Sequence, residues 1–201
     1  MNLRVRMLRH GVATGLVLLA FAAAAAAQDK VDVCHRPPDN PSNVKLITVG
    51  AAALADHLSH GDHLSFGEAC YVHAFGPEDS SQAEQVCVDV YGGHLASIHS
   101  QAEDDFISAL IDPSAIGGIT ASIGGFEPGG FCSGPDATYQ WTDGTPWDFS
   151  NWRLTTWEPN CTGAPAATQF WPNTNGYYSG WNDVPAGDPL GGFVCKYYPK
   201  H

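Results

Sequence analysis

The tryptophans of this chain are not dispersed. All six lie between Trp141 and Trp181, inside a stretch from residue 117 to residue 189 that shows no helical spacing of apolar residues. Gly, Pro, Asn and Asp interrupt it every few residues, which reads as loops and short strands. Irregular segments of this length are uncommon in compact domains and tend to carry function where they occur.

Regular elements flank the stretch. Ser81-Gln82-Ala83-Glu84 has the form of a capping box, in which the serine hydroxyl takes an orphan N–H and the glutamate reaches back. Ala83, Val86, Cys87, Val90 and Tyr91 follow at helical spacing, and Gly92-Gly93 ends the helix. Ser100 to Glu103 repeats the box. Phe106, Ile107, Leu110 and Ile111 form the second helix's apolar face, and Asp112-Pro113 stops it. Asp104 and Asp105 read as solvated acids on its exposed face. Leu95 and Ile98 fit a short buried strand between the helices, and residues 192–198 a closing one.

The first residues read as a leader. Arg4, Arg6 and Arg9 precede an uncharged stretch over residues 11–28, with an apolar heart at 15–21 and an A-x-A-like end at Ala25 to Ala27. About 17 apolar-to-small residues is the lower limit for spanning a bilayer, so residues 1–27 are expected to be a cleaved signal peptide rather than an anchor. The expected location is secreted or periplasmic, and the Ala-rich leader suggests a bacterial source. The formal net charge is −12; without the three leader arginines, six Lys/Arg face 21 Asp/Glu, a net of −15. Such a chain is poorly suited to nucleic acid or anionic lipid, and no later apolar run is long enough to cross a membrane. All six cysteines follow the leader, in a compartment where disulfides persist, and six allow 15 connectivities.

Residues 28–69 differ in texture: Cys34-His35, a Pro/Asn-rich turn, an alternating Val44, Leu46, Thr48 run, and an Ala-rich short helix over 51–60 ended by Gly61. His57 and His60 stand three apart and could share a metal ion, whereas Gly61 removes His63 from that face. The segment resembles a short Cys-bracketed unit that recurs in bacterial secreted proteins, a resemblance that implies no function. It is expected to be a disulfide-closed extension packed on the following domain.

From residue 70 the order of motifs becomes specific. Cys70-Tyr71, the helix bearing Cys87, and Gly92-Gly-His-Leu-Ala-Ser-Ile98 come first, followed by the second capped helix with Glu103 and Phe106. Then come Trp141-Thr-Asp-Gly-Thr-Pro146, Asp148-Phe-Ser-Asn-Trp152, Glu158-Pro159-Asn160, Trp181-Asn182-Asp183 and Phe193-Val-Cys195. In this order they resemble a C-type lectin-like domain, spanning residues 70–201. The resemblance implies an α+β fold of two helices with small antiparallel sheets, a long loop region and disulfide bonds.

It also implies a site. In the family, the long loop region holds a calcium ion through carboxylate and amide oxygens, the hard ligands calcium prefers. Carried over, the metal ligands are Glu158, Asn160, Asn182 and Asp183, with a cis peptide bond before Pro159. The same groups would bind sugar hydroxyls, with a mannose- or glucose-type preference, and Trp157 and Trp171 would line the site. A further family glutamate falls at Ala166, so calcium is expected to bind weakly, at about 10⁻⁴–10⁻³ M. The resemblance pairs Cys87 with Cys195. The family's inner pair would fall near Thr168 and Ala186, neither a cysteine, and guided by the family the remaining pairs are Cys132 with Cys161 and Cys34 with Cys70. Phe170, Tyr177 and Tyr178 in the same region are suited to stacking on a sugar.

Two binding functions follow: a calcium-dependent carbohydrate or glycoconjugate module, or a calcium-independent lectin-like domain that recognises a protein or other surface. No Ser-His-Asp order, zinc motif or phosphate loop is visible, so an enzyme is not expected.

Overall fold

The computed structural model describes residues 29–76, 79–111, 120–129, 138–161, 166–171, 180–188 and 191–199; the expected leader and Cys132 lie outside them. The described residues form ten strands and three α-helices: β1 Lys30–His35, β2 Lys45–Gly50, α1 Leu54–Ser59, β3 His63–Phe66, β4 Ala69–Phe75, α2 Ser80–Val86, β5 His94–Leu95, α3 Gln101–Leu110, β6 Ala121–Phe126, β7 Gln140–Trp141, β8 Ala166–Trp171, β9 Gly180–Pro185 and β10 Gly192–Tyr197. The strands make one mixed ten-stranded sheet in the order β2-β1-β3-β4-β10-β6-β8-β9, with β5 against β10 and β7 against β6.

This corrects the expectation of two helices with small antiparallel sheets. The fold is α+β, but β10 runs parallel to β6 through Gly192↔Ala121 and Phe193↔Ser122, which joins the antiparallel groups into one sheet. Residues 29–68 contribute α1 and three strands, and β3 pairs with β4 through Leu64↔Tyr71.

The cap of α2 differs from the expected one. The N-cap of α2 is Asp79, whose carboxylate accepts from the N–H groups of Ser81 and Gln82 while the Gln82 side chain accepts from the Asp79 N–H. Glu84 points across to β5 instead, accepting from the Leu95 N–H at 2.8 Å and lying 2.5 Å from His94 Nδ1. The capping box therefore falls two residues earlier than expected, on Asp79 and Gln82, and the helix runs on through a π turn over Cys87–Tyr91 to Gly92 at φ 69°. In α3 the Ser100 hydroxyl does cap, accepting from the Glu103 N–H. Of the two acids behind it, Asp105 is exposed as expected, whereas Asp104 is not solvated. Asp104, Ile107 and Ile111 share one inward face at i, i+3, i+7, and all three have 0% exposure.

The main core gathers Tyr71, Ile98, Ile107, Ile123, Trp141, Phe170, Trp181 and Val194. Trp147 lies 4.3 Å from the Trp141 ring and 5.6 Å from that of Trp181, and Trp152 lies 5.9 Å from Trp181. Much of the tryptophan-rich stretch is thus core, held by offset and edge-on aromatic packing. Phe170 has 0% exposure and belongs to that core rather than to a sugar platform. Cys87 is bonded to Cys195 and Cys34 to Cys70. Cys161 is also disulfide-bonded.

Candidate functional site

The site grows from the way one loop docks on β9. The loop running from Asn151 lies beside Trp181: Trp181 N–H donates to Asn151 O at 2.8 Å and Arg153 N–H to Trp181 O at 2.9 Å. Beneath, the indole N–H of Trp181 donates to Asp104 Oδ1 at 2.7 Å, and the Asn151 amide donates to Asp104 Oδ2 at 2.8 Å. One buried carboxylate of α3 therefore holds both the strand and the start of the loop. The loop makes a 3₁₀ turn at Leu154–Thr156, and Glu158 N–H donates back to Arg153 O. The Glu158–Pro159 bond is cis.

This brings the four sequence-predicted ligand residues together, Asn160 through its backbone N–H. Asn160 N–H donates to Glu158 Oε2 at 3.1 Å and to Asp183 Oδ1 at 2.7 Å, and Cys161 N–H donates to Asp183 Oδ2 at 2.9 Å. An amide atom of Asn182 lies 2.8 Å and 2.9 Å from the two Glu158 oxygens. Without a cation this atom is Nδ2, donating to the carboxylate. Turned over, the amide directs Oδ1 there, an arrangement that a cation between the oxygens would relieve. Asn160 is exposed, and its backbone N–H bridges the two carboxylates. Burial pushes the Glu158 carboxyl above its ordinary range; the Thr156 hydroxyl opposes that and the Asp183 charge adds to it. Crowded carboxylates of this kind fit a cation-binding role.

Trp157, at φ 61° immediately before Glu158, is 87% exposed. Trp171 lies in β8, and residues 172–179, which include Tyr177 and Tyr178, lie outside the described residues. Ala166 occupies the position of the missing family glutamate and is buried. Beside it is a residue the sequence reading did not single out: Glu127, also buried, whose N–H donates to Ala166 O at 3.0 Å. Burial pushes the Tyr139 phenol up, and the charges of Asp183, Glu127 and Glu158 push it further. All three carboxylates therefore face one neighbourhood. Nothing in the sequence marks Glu127, because only the β6–β8 pairing sets it beside Ala166.

A second cluster lies in the extension. The His57 and His60 rings, which could have shared an ion, lie 6.0 Å apart, and His57 is grouped instead with His35 and Asp62. His57 Nδ1 lies 2.7 Å from Asp62 Oδ2, and His35 Nδ1 lies 2.9 Å from the same oxygen. The ligand atoms of these three residues lie within 4.8 Å of one another, an incomplete set that could hold a metal ion. His63 turns away, with Nδ1 2.6 Å from the Tyr197 hydroxyl, and burial lowers its pKa to about 4.

A family profile for the lectin C-type domain matches residues 77–197. The chain belongs to the C-type lectin family, whose domains are ligand-binding modules and not catalysts. It is 36% identical over 164 residues to a protein named "Lectin" from Pleurodeles waltl, covering 77% of this chain and 89% of that one. Among solved structures it is similar to the cow C-type carbohydrate-recognition domain of CD23, determined in the presence of a GlcNAc2Man3 oligosaccharide: 27% identity, TM-score 0.54, 69% of this chain and 95% of that one. It is also similar to a calcium-independent type II antifreeze protein: 28% identity, TM-score 0.53, 69% and 92%. The curated relatives are vertebrate, which gives no support to the bacterial source expected from the leader. Among the described residues no helix is long and apolar enough to cross a membrane.

Proposed function

We propose that the chain is an exported carbohydrate-binding module whose site is Glu158, Asn160, Asn182 and Asp183, with calcium as its ion and a mannose- or glucose-type preference. In this reading residues 1–27 are a cleaved leader, 28–69 an extension and 70–201 the lectin-like domain. The observation that carries it is the facing of the Asn182 amide and the Glu158 carboxylate at 2.8–2.9 Å, with Asp183 joined to Glu158 through the Asn160 N–H. When bound, calcium would supply a centre on which two neighbouring sugar hydroxyls can be oriented. The residues of this chain would fix those hydroxyls by hydrogen bonds, with the exposed Trp157 face beside them.

A second reading has its own support. Both oxygens of Asp183 accept backbone N–H groups, and Ala166 replaces a carboxylate. Those donors partly neutralise the site without an ion, as in a calcium-independent module that binds a protein or other surface. Thermal unfolding separates the two, because a ligand selective for the folded state raises its stability. On the first reading, millimolar calcium raises the melting temperature over chelator, mannose raises it further, and Glu158→Gln abolishes both shifts. No calcium shift in the unsubstituted chain would sink the first reading and leave the second.

A further inference from the structure

The histidine cluster of the extension is set apart from the lectin site: it lies at β1 and β3, whereas Asn182 and Asp183 lie on β9, the other end of the sheet order. Three separate elements deliver its ligands. His35 ends β1, His57 sits in α1, and Asp62 follows the turn between α1 and β3. Gly61, at φ 92°, folds the chain back so that the Asp62 N–H donates to His57 O at 3.2 Å. The antiparallel register Cys34↔His63 then carries His35 to the same place from the other side.

The cluster has features of a built site. The Asp62 side chain has 0% exposure, and its second oxygen accepts the Arg36 N–H at 2.8 Å, which fixes the carboxylate plane. The Arg36 guanidinium does not compete for the cluster: it lies over the Tyr91 ring and reaches Pro41 O. Two imidazoles present the same ring nitrogen to one carboxylate oxygen, so three ligand atoms converge. Their side chains remain 32% and 23% exposed, which leaves a route for an ion and for water to complete a four-coordinate shell. The Cys34–Cys70 bridge, next to His35, anchors β1 to β4 and holds the cluster's base.

We infer that His35, His57 and Asp62 form a binding site for a divalent transition ion of the zinc class, which ties β1, α1 and the start of β3 together. Two imidazole nitrogens with one carboxylate suit zinc, cobalt or nickel; calcium, which takes oxygen ligands only, is not matched. A single histidine on Asp62 would suffice as a hydrogen-bonded brace, so two on one oxygen favour coordination. This site does not depend on the lectin reading.

The test is a zinc titration of the metal-free full chain against a chromophoric chelator, repeated with cobalt to read the absorption bands of imidazole-bound ion. The expected result is uptake of one ion that excess calcium does not displace. His35→Gln and His57→Gln should each weaken it by about tenfold or more, and Glu158→Gln should leave it unchanged. Both histidines are partly exposed, so these variants are expected to fold. No stoichiometric uptake by the unsubstituted chain would overturn the inference, as would unchanged affinity in both histidine variants. Loss of binding in Glu158→Gln would also overturn it, by moving the ion to the other site.

Discussion

Asp104 is a buried carboxyl whose charge the fold opposes, and Asp104→Asn should expose the cost. The carboxyl has 0% exposure, and its pKa is pushed up to about 6. Burial is the main cause; hydrogen bonds from Asn151 and Trp181 resist it, and the neighbouring charges of Asp105 and Glu103 add to it. An unfolded aspartate titrates near 3.8. Below about pH 4 both states are protonated and the group contributes nothing. Between about 4 and 6 the folded state keeps a proton that the unfolded state has lost, so stability falls as pH rises. Above about 6 the full cost persists. A difference of about two pK units at about 1.4 kcal/mol each gives about 3 kcal/mol. The amide substitution keeps an acceptor for the Trp181 indole and can pair with Asn151 once that amide turns over. Urea unfolding followed by tryptophan fluorescence should therefore find the variant and the parent equal near pH 4, and the variant more stable by about 3 kcal/mol near pH 7. Parallel stability profiles across this range would refute the reasoning, because they would mean that Asp104 titrates alike in both states.

The other stability predictions concern the centre of the sheet. Lys196 Nζ lies 2.7 Å from Glu103 Oε1 with both side chains buried, and the same carboxylate accepts from the Tyr71 hydroxyl and the His99 N–H. Lys196→Met should cost about 3–5 kcal/mol in urea unfolding by leaving that charge unpaired, and adding Glu103→Gln should recover most of it. A double variant as unstable as the single one would place the loss in packing. The bridges close loops of different length, with separations of 108 residues for Cys87–Cys195 and 36 for Cys34–Cys70. On loop-closure entropy, replacing each pair by alanine should cost about 4.8 and about 3.8 kcal/mol, respectively, in the same assay, so the reverse order would point to native-state strain or residual unfolded structure.

What could be read in the sequence depended on whether the information was local. The order from Cys70 to Cys195 carried the lectin-like fold, and Gly61 correctly ended a short helix. Asp104 was misread because the helical wheel was built from apolar residues alone. Its spacing to Ile107 and Ile111 puts it on the buried stripe, but an acid there becomes intelligible only when Trp181 and Asn151 arrive from 77 and 47 residues away. The His35–Asp62 contact likewise depends on the β1–β3 register. His57 and His60 were visible as a pair because three residues separate them, whereas the partner that His57 meets lies beyond a left-handed glycine. Glu127 gave no local signal at all.

The two halves of the candidate lectin site are held by different means, and this bears on how a ligand would be bound. Asn182 and Asp183 belong to β9, paired with β8 through Gln169↔Asn182 and Thr168↔Asp183, and the adjacent Trp181 is fixed from below by Asp104. Glu158 and Asn160 belong to a loop, but one pinned by Arg153 N–H to Trp181 O, Trp181 N–H to Asn151 O and the paired bonds to the Asp183 carboxylate. An ion entering between them would find its carboxylates already close, so little chain ordering would oppose binding. It would instead have to compete with the Asn160 and Cys161 N–H groups for the oxygens of Asp183. Weak calcium affinity here would follow from that competition as well as from the alanine at 166, and restoring a carboxylate at 166 alone would therefore recover only part of it.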